Sequence, residues 1–241
     1  MTSEEILRAE GLLKTFDGVR AVDGVHLSLF CGEIRALIGP NGAGKTTLIN
    51  LLAGQLSADA GSITLAGHDV TRWETHRRAR LGLARTFQIA ALFPSLTVQE
   101  HLEAALYGRQ LPLYKKATLE PSSEEILKFC QLEDKREVPA RELSHGDQRL
   151  LELAMALAQK PKLLLLDEPA AGLSPLETET LIQRIASIKD AAILIVEHDM
   201  RVVFRLAQKI TVMHRGKILT EGPPEPVQSD PRVQEVYLGG T

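Results

Sequence analysis

The sequence predicts an α/β protein with a mainly parallel sheet and a helical insertion in its middle. Two observations carry this. Three short strand-like runs, "IRALI" at Ile34–Ile38, "LLLL" at Leu163–Leu166 and "ILIV" at Ile193–Val196, are apolar on both faces save for Arg35, unlike strands wetted on one face. They match strands buried on both faces, and helical stretches between them give the alternation that builds parallel sheets. From about Arg85 to Lys160 the texture changes to helix (Val98–Tyr107), Pro-containing loop, helix (Ser123–Cys130), loop and helix (Asp147–Gln159). A chain of 241 residues is long enough for one large domain or a core with a smaller lobe.

Helix starts carry a readable signal. "TRWE" at Thr71, "TVQE" at Thr97, "SSEE" at Ser122 and "SPLE" at Ser174 each fit the capping box, in which a hydroxyl and a carboxylate three residues on satisfy each other's backbone N–H. Pro175 stands at the first helical position after Ser174, where a missing N–H costs nothing. "THRRAR", Thr75–Arg80, reads as the solvated face of a helix. From Lys209, two short strand-like pieces flank a "HRGK" turn, followed by a Pro-rich link and a final helix.

Composition removes several function classes. With 28 basic and 31 acidic residues the net charge is −3, so no overall field recruits nucleic acid or anionic lipid. The longest apolar runs, "KLLLLD" and "DAAILIV", fall far short of the roughly 20 residues that span a bilayer. "MTSEEILRAEG" lacks the apolar stretch of a signal peptide, and Cys31 and Cys130 make neither a disulfide framework nor a metal-ligand pattern. A cytosolic protein is the expectation.

Two stretches carry chemistry. "GPNGAGKTT" comprises Gly39, Pro40, Asn41, Gly42, Ala43, Gly44, Lys45, Thr46 and Thr47, lying between an apolar strand and a helical run. This is the phosphate-loop pattern in the setting it requires. The glycines let backbone N–H groups close into a nest around phosphate oxygens, Lys45 places a charge at the β/γ-phosphates, and the Thr46 hydroxyl ligates Mg²⁺. "LLLLDEP", Leu163–Pro169, ends a buried strand in two carboxylates. Asp167 is placed to hold the Mg²⁺ through a water, and Glu168, pointing the other way, to polarise an attacking water. A third stretch, "LSHGDQ" at Leu143–Gln148, opens a helix with a small Ser-x-Gly turn and has the makings of a second anion site.

Taken in order, these motifs resemble the nucleotide-binding subunits of ABC transporters over essentially the whole chain. "RTFQ", ending in Gln88, looks like the Q-loop; "LSHGDQ" is similar to the signature motif; "AAGLSP" sits where the D-loop should be; "IVEHD" supplies a switch histidine, His198; and Phe16 falls where a ring stacks on adenine. The resemblance implies a P-loop NTPase (ABC ATPase) core and an N-terminal antiparallel β subdomain, about 1–85 and 161–241, with an inserted helical subdomain, about 86–160. It implies ATP and Mg²⁺, with Lys45, Gln88, Glu168 and His198 in catalysis and Thr46, Gln88 and Asp167 at the metal. It also implies a head-to-tail dimer, homo- or heteromeric, in which Ser144, His145 and Gly146 contact the ATP of the facing subunit. This chain departs from the family pattern at His145, Asp147 and Ser174.

"GLARTFQIAALFPSLTVQEHL", "DEPAAGLSP", "ILIVEHDM" and the tail "GKILTEGPPEPVQSDPRVQEVYLG" further resemble the Liv-type ATPases of branched-chain and other hydrophobic amino acid importers. That implies two integral-membrane permeases, an extracytoplasmic substrate-binding protein and a place on the inner face of the cell membrane. The apolar "AALFPSL", Ala90–Leu96, is the expected permease-docking loop. Relatives serving urea, short amides or lipopolysaccharide export share much of this pattern, and a catalytically dead regulatory subunit is the alternative to an active one. A soluble repair or translation ABC protein would normally carry two nucleotide domains or a long coiled-coil insertion, and this chain has one phosphate loop.

Overall fold

A computed structural model of the chain describes residues 4–86, 92–110 and 122–238. Strands β1 (Glu5–Phe16) and β2 (Val19–Phe30) form an antiparallel hairpin in which Phe16 pairs with Val19. The two-residue turn between them, Asp17-Gly18, has φ 46° and 85°, the primed geometry that matches strand twist and favours Asp-Gly. Strands β3 (Ile34–Ile38), β4 (Ala60–Leu65) and β5 (His68–Asp69) follow, with helix α1 (Lys45–Ala53) between β3 and β4. The antiparallel sheet runs β2-β1-β4-β5.

The second sheet contains β6 (Leu83–Arg85), β7 (Leu163–Asp167), β8 (Ala192–Val196), β9 (Lys209–His214) and β10 (Lys217–Gly222), in the order β10-β9-β3-β8-β7-β6. All its pairs are parallel except the β9–β10 hairpin. Every residue of β3, β7 and β8 is buried. The reason lies in the period of two: Leu163 and Leu165 join a core with α1, β1 and β2, while Leu164 and Leu166 join a core on the opposite face. One strand thus serves two cores; the buried charge within β3, Arg35, is held in ion pairs with Glu33 and Glu221. Each such leucine contributes roughly 1.5–3 kcal/mol of burial.

Helix α2 is Thr75–Arg80, and three helices lie between β6 and β7: α3 (Val98–Gln110), α4 (Ser123–Cys130) and α5 (His145–Ala158). Helices α6 (Pro175–Ser187), α7 (Met200–Leu206), α8 (Pro224–Gln228) and α9 (Pro231–Leu238) complete the chain, so the Pro-rich link forms a short helix of its own. Helix α5 starts two residues before the expected Asp147 because Ser144 is its cap.

Capping boxes form at Thr97, Ser122 and Ser174. Thr71 is different. Its N–H and hydroxyl bond to Asp69, and the hydroxyl also accepts the N–H of Ile63, so it closes a turn instead of opening a helix. The stretch Thr75–Arg80 also corrects the expectation of a wholly solvated face, since Arg78 is only 1% exposed. Its guanidinium donates to the carbonyls of Leu51 and Leu52 at 2.7 and 2.8 Å and of Trp73 at 2.9 Å. It thereby satisfies the last carbonyls of α1, which a helix leaves without partners. Burial lowers its pKa to about 10.

Candidate functional site

Sheet register sets the site. Leu37 pairs with Val196, and Val196 with Asp167, so β3, β8 and β7 end in one row. The loops leaving these ends carry Gly39–Gly44, Glu197–His198 and Glu168. They converge beyond the carboxyl edge of parallel strands, where open α/β sheets bind ligands.

The loop from β3 is shaped by glycine. Gly42 and Gly44 have φ 77° and 102°, and a Cβ at Gly44 would stand 2.1 Å from the carbonyl oxygen of Ala21. A Cβ at Gly39 would stand 2.2 Å from that of Met213. Helix α1 therefore begins on a left-handed glycine with no side-chain cap and no acidic residue in its first turn. Its leading N–H groups and dipole are left for an anion. Lys45 is 6% exposed, and its ammonium donates to the carbonyls of Gly39 and Pro40 at 2.7 and 3.0 Å. Desolvation lowers its pKa, against the opposing pull of Glu168 and Asp167. Pro40 and Ala43 shape the loop through the Ala43 N–H to Pro40 carbonyl bond of 3.2 Å; Asn41 and Thr46 are exposed, and Thr47 is half-buried.

At the end of β7, Asp167 is 5% exposed and pairs with Arg85 at 3.0 Å. Arg85 also donates to Asn50 and Gln55, both at 2.6 Å, tying β6 and β7 to α1 and its C-terminal turn. Glu168 has φ 49°, a left-handed conformation that swings its side chain away from Asp167. Its Oε1 lies 2.8 Å from His198 Nε2. Beneath them Glu197, 4% exposed, accepts the N–H groups of Ala170 at 2.8 Å and His198 at 3.1 Å, while burial raises its pKa. One carboxylate thus fixes both the histidine and the loop after Glu168. Among the described residues no cluster of three or more His, Cys, Asp or Glu could cage a metal unaided. The donor set fits Mg²⁺ nonetheless, because that ion keeps its waters and takes one or two protein oxygens plus phosphate. The Thr46 hydroxyl and Asp167 would supply those oxygens.

The signature turn lies at the head of α5. Ser144 caps the helix by accepting Asp147 N–H at 3.1 Å and donates to its carboxylate at 2.8 Å; Lys135 pairs with the same carboxylate. The charge of Asp147 is therefore offset within the chain. His145 is exposed, whereas Gly146 is buried, with its N–H bonded to Glu177 Oε1 at 3.0 Å. Ser174 opens α6 in a capping box with that same Glu177.

Phe16 is 42% exposed with the Lys14 ammonium 5.5 Å from its ring centroid, a ring free to stack. Phe93 is 64% exposed; its N–H is held by the buried His101 at 2.9 Å. Gln88 and Ala90 lie outside the described residues.

Sequence reasoning passed over Arg85, Glu177 and Glu197. The signal for Glu197 was present, since it is the charge that ends an apolar run.

A family profile described as ABC transporter matches residues 22–171, and one described as branched-chain amino acid ATP-binding cassette transporter matches residues 217–241. The high-affinity branched-chain amino acid transport ATP-binding protein LivG of Escherichia coli K12 is 37% identical over 252 residues, covering 98% of this chain and 99% of the relative. BraF of Pseudomonas aeruginosa, described in the same words, is 36% identical over 253 residues with the same coverage. The crystal structure of the ADP conformation of MJ1267, an ATP-binding cassette of an ABC transporter, superposes with TM-score 0.88 at 33% identity, covering 98% of this chain and all of that one. These matches cover nearly the whole chain: it belongs to the ABC transporter family, as a LivG-like ATP-hydrolysing subunit.

Proposed function

We propose that this subunit powers the import of branched-chain or other hydrophobic amino acids by hydrolysing ATP between itself and a facing ABC subunit. The reading is carried by the 2.8 Å contact between His198, at the end of the strand beside the one feeding Lys45, and Glu168, at the end of the next strand over. Lys45 leaves the loop carbonyls for the β/γ-phosphates, exchanging two neutral acceptors for charged ones around an ammonium already desolvated. Gly39–Thr47 line the phosphates and Phe16 stacks on the adenine. Thr46, Asp167 and Gln88 hold Mg²⁺, which when bound neutralises phosphate charge. Glu168 polarises the attacking water and His198 holds its geometry at the terminal phosphate.

Ser144, His145 and Gly146 close on the ATP of the opposite subunit, so loss of the terminal phosphate loosens the dimer. The test is Glu168→Gln. Steady-state hydrolysis should fall by about 100-fold or more and an ATP-bound dimer should accumulate, read by size exclusion with light scattering. Equally slow hydrolysis by wild type and variant would favour a catalytically dead regulatory subunit.

The cargo class follows the named transport roles of the LivG and BraF relatives. Two permeases and, through them, an extracytoplasmic binding protein complete the assembly, with the subunit peripheral on the cytoplasmic face of the membrane. No helix among the described residues is long and apolar enough to cross a membrane. The exposed Phe93 offers an apolar docking point, and Phe93→Asp should uncouple transport while basal hydrolysis persists. Transport unchanged by that substitution would place the docking surface elsewhere.

A further inference from the structure

The signature turn is held by a carboxylate of its own chain. Glu177 Oε2 accepts the Ser174 N–H at 2.9 Å and the Ser174 hydroxyl at 2.7 Å, which completes the cap of α6. That cap needs one oxygen. The other, Oε1, reaches across to accept the Gly146 N–H at the head of α5, 3.0 Å away, next to Ser144, whose hydroxyl is given to Asp147. The fit is close: a Cβ at Gly146 would lie 2.6 Å from Glu177 Cγ and 2.7 Å from Oε1. The hydrogen bonds from Ser174 and Gly146 hold the carboxyl pKa at about 2, so the group is an anion at any physiological pH. An acceptor-only, negatively charged group on the Gly146 N–H has the chemistry of a terminal phosphate.

We propose that Glu177 is a positioning residue that occupies the signature N–H of the unpaired subunit and is displaced from Gly146 by the γ-phosphate carried on a facing subunit. This rests on the head-to-tail reading above. Two anions cannot share one N–H, so closure exchanges an internal carboxylate for an external phosphate. Oε2 keeps its hold on Ser174 while Oε1 swings out. ADP brings no terminal phosphate and leaves Glu177 in place, so the exchange reports whether the partner still holds uncleaved ATP. Glu177 stands in the first turn of α6, directly after the Ala170–Ser174 loop, so its release also acts on the loop that follows Glu168.

The experiment measures dimerisation by analytical ultracentrifugation with Mg-ATP, in the Glu168→Gln background and with the cognate ATPase if the pair is mixed. Glu177→Gln keeps the shape and one capping oxygen but removes the charge. It should tighten the dimer about tenfold, while the melting temperature of the nucleotide-free subunit stays equal or falls. A purely structural clamp predicts the opposite sign, so an unchanged or weaker dimer overturns the proposal. Glu177→Asp keeps the charge but withdraws it by about 1.5 Å, and should tighten the dimer less than Gln does; weakening would likewise overturn it. Failure of the Glu168→Gln parent to dimerise removes the head-to-tail reading and this inference together. A dimerising parent that Glu177→Gln leaves unmoved removes the inference alone.

Discussion

The two helix heads offered to phosphate are built on opposite principles. At α1 the chain arrives through left-handed glycines, without a side-chain cap or an acidic residue in the first turn. At α5 it arrives through Ser144, with Asp147 in the first turn and Glu177 folded onto Gly146. The first head is left without an internal anion partner, and the second is satisfied within its own chain. On the proposed head-to-tail dimer, the difference teaches that a shared site would stay silent in the lone subunit by being full, with no need to be misshapen.

The contrast breaks most completely at Gly44. Gly44→Ala puts a Cβ 2.1 Å from the Ala21 carbonyl on a backbone of φ 102°, which should cost about 2–4 kcal/mol of stability and abolish nucleotide binding. Thermal melting and fluorescent-nucleotide titration read the two effects. Ser144→Ala sharpens the contrast from the other side. Loss of the cap should cost about 1 kcal/mol in urea unfolding and weaken the ATP-bound dimer, while ATP affinity of the lone subunit stays as it was. A parallel loss of monomer affinity would mean that Ser144 serves its own chain's nucleotide.

Much of this was legible in the sequence because local rules dictate it. The apolar runs of β3, β7 and β8 admit one reading once both faces are covered, and the Ser122 and Ser174 boxes form as written. Thr71 matched the same pattern, but Asp69 two residues earlier captured its hydroxyl, so a competing turn won. Arg78 looked like surface charge because its partners, the carbonyls that end α1, are backbone groups with no residue signature. Arg85 and Glu177 were in view as parts of motifs. Their long reach within the chain, to Asp167 over 82 positions and to Gly146 over 31, depends on the sheet order and the α5–α6 packing.

The left-handed backbone at Glu168 carries a further consequence. A side chain forced to φ 49° sits roughly 1–2 kcal/mol above what glycine would need there. Glycine at that position would relax the turn and leave a sturdier, inert protein. Robustness and turnover therefore pull against each other at one residue, and a screen selecting only for heat tolerance would drift towards a subunit that no longer burns its fuel.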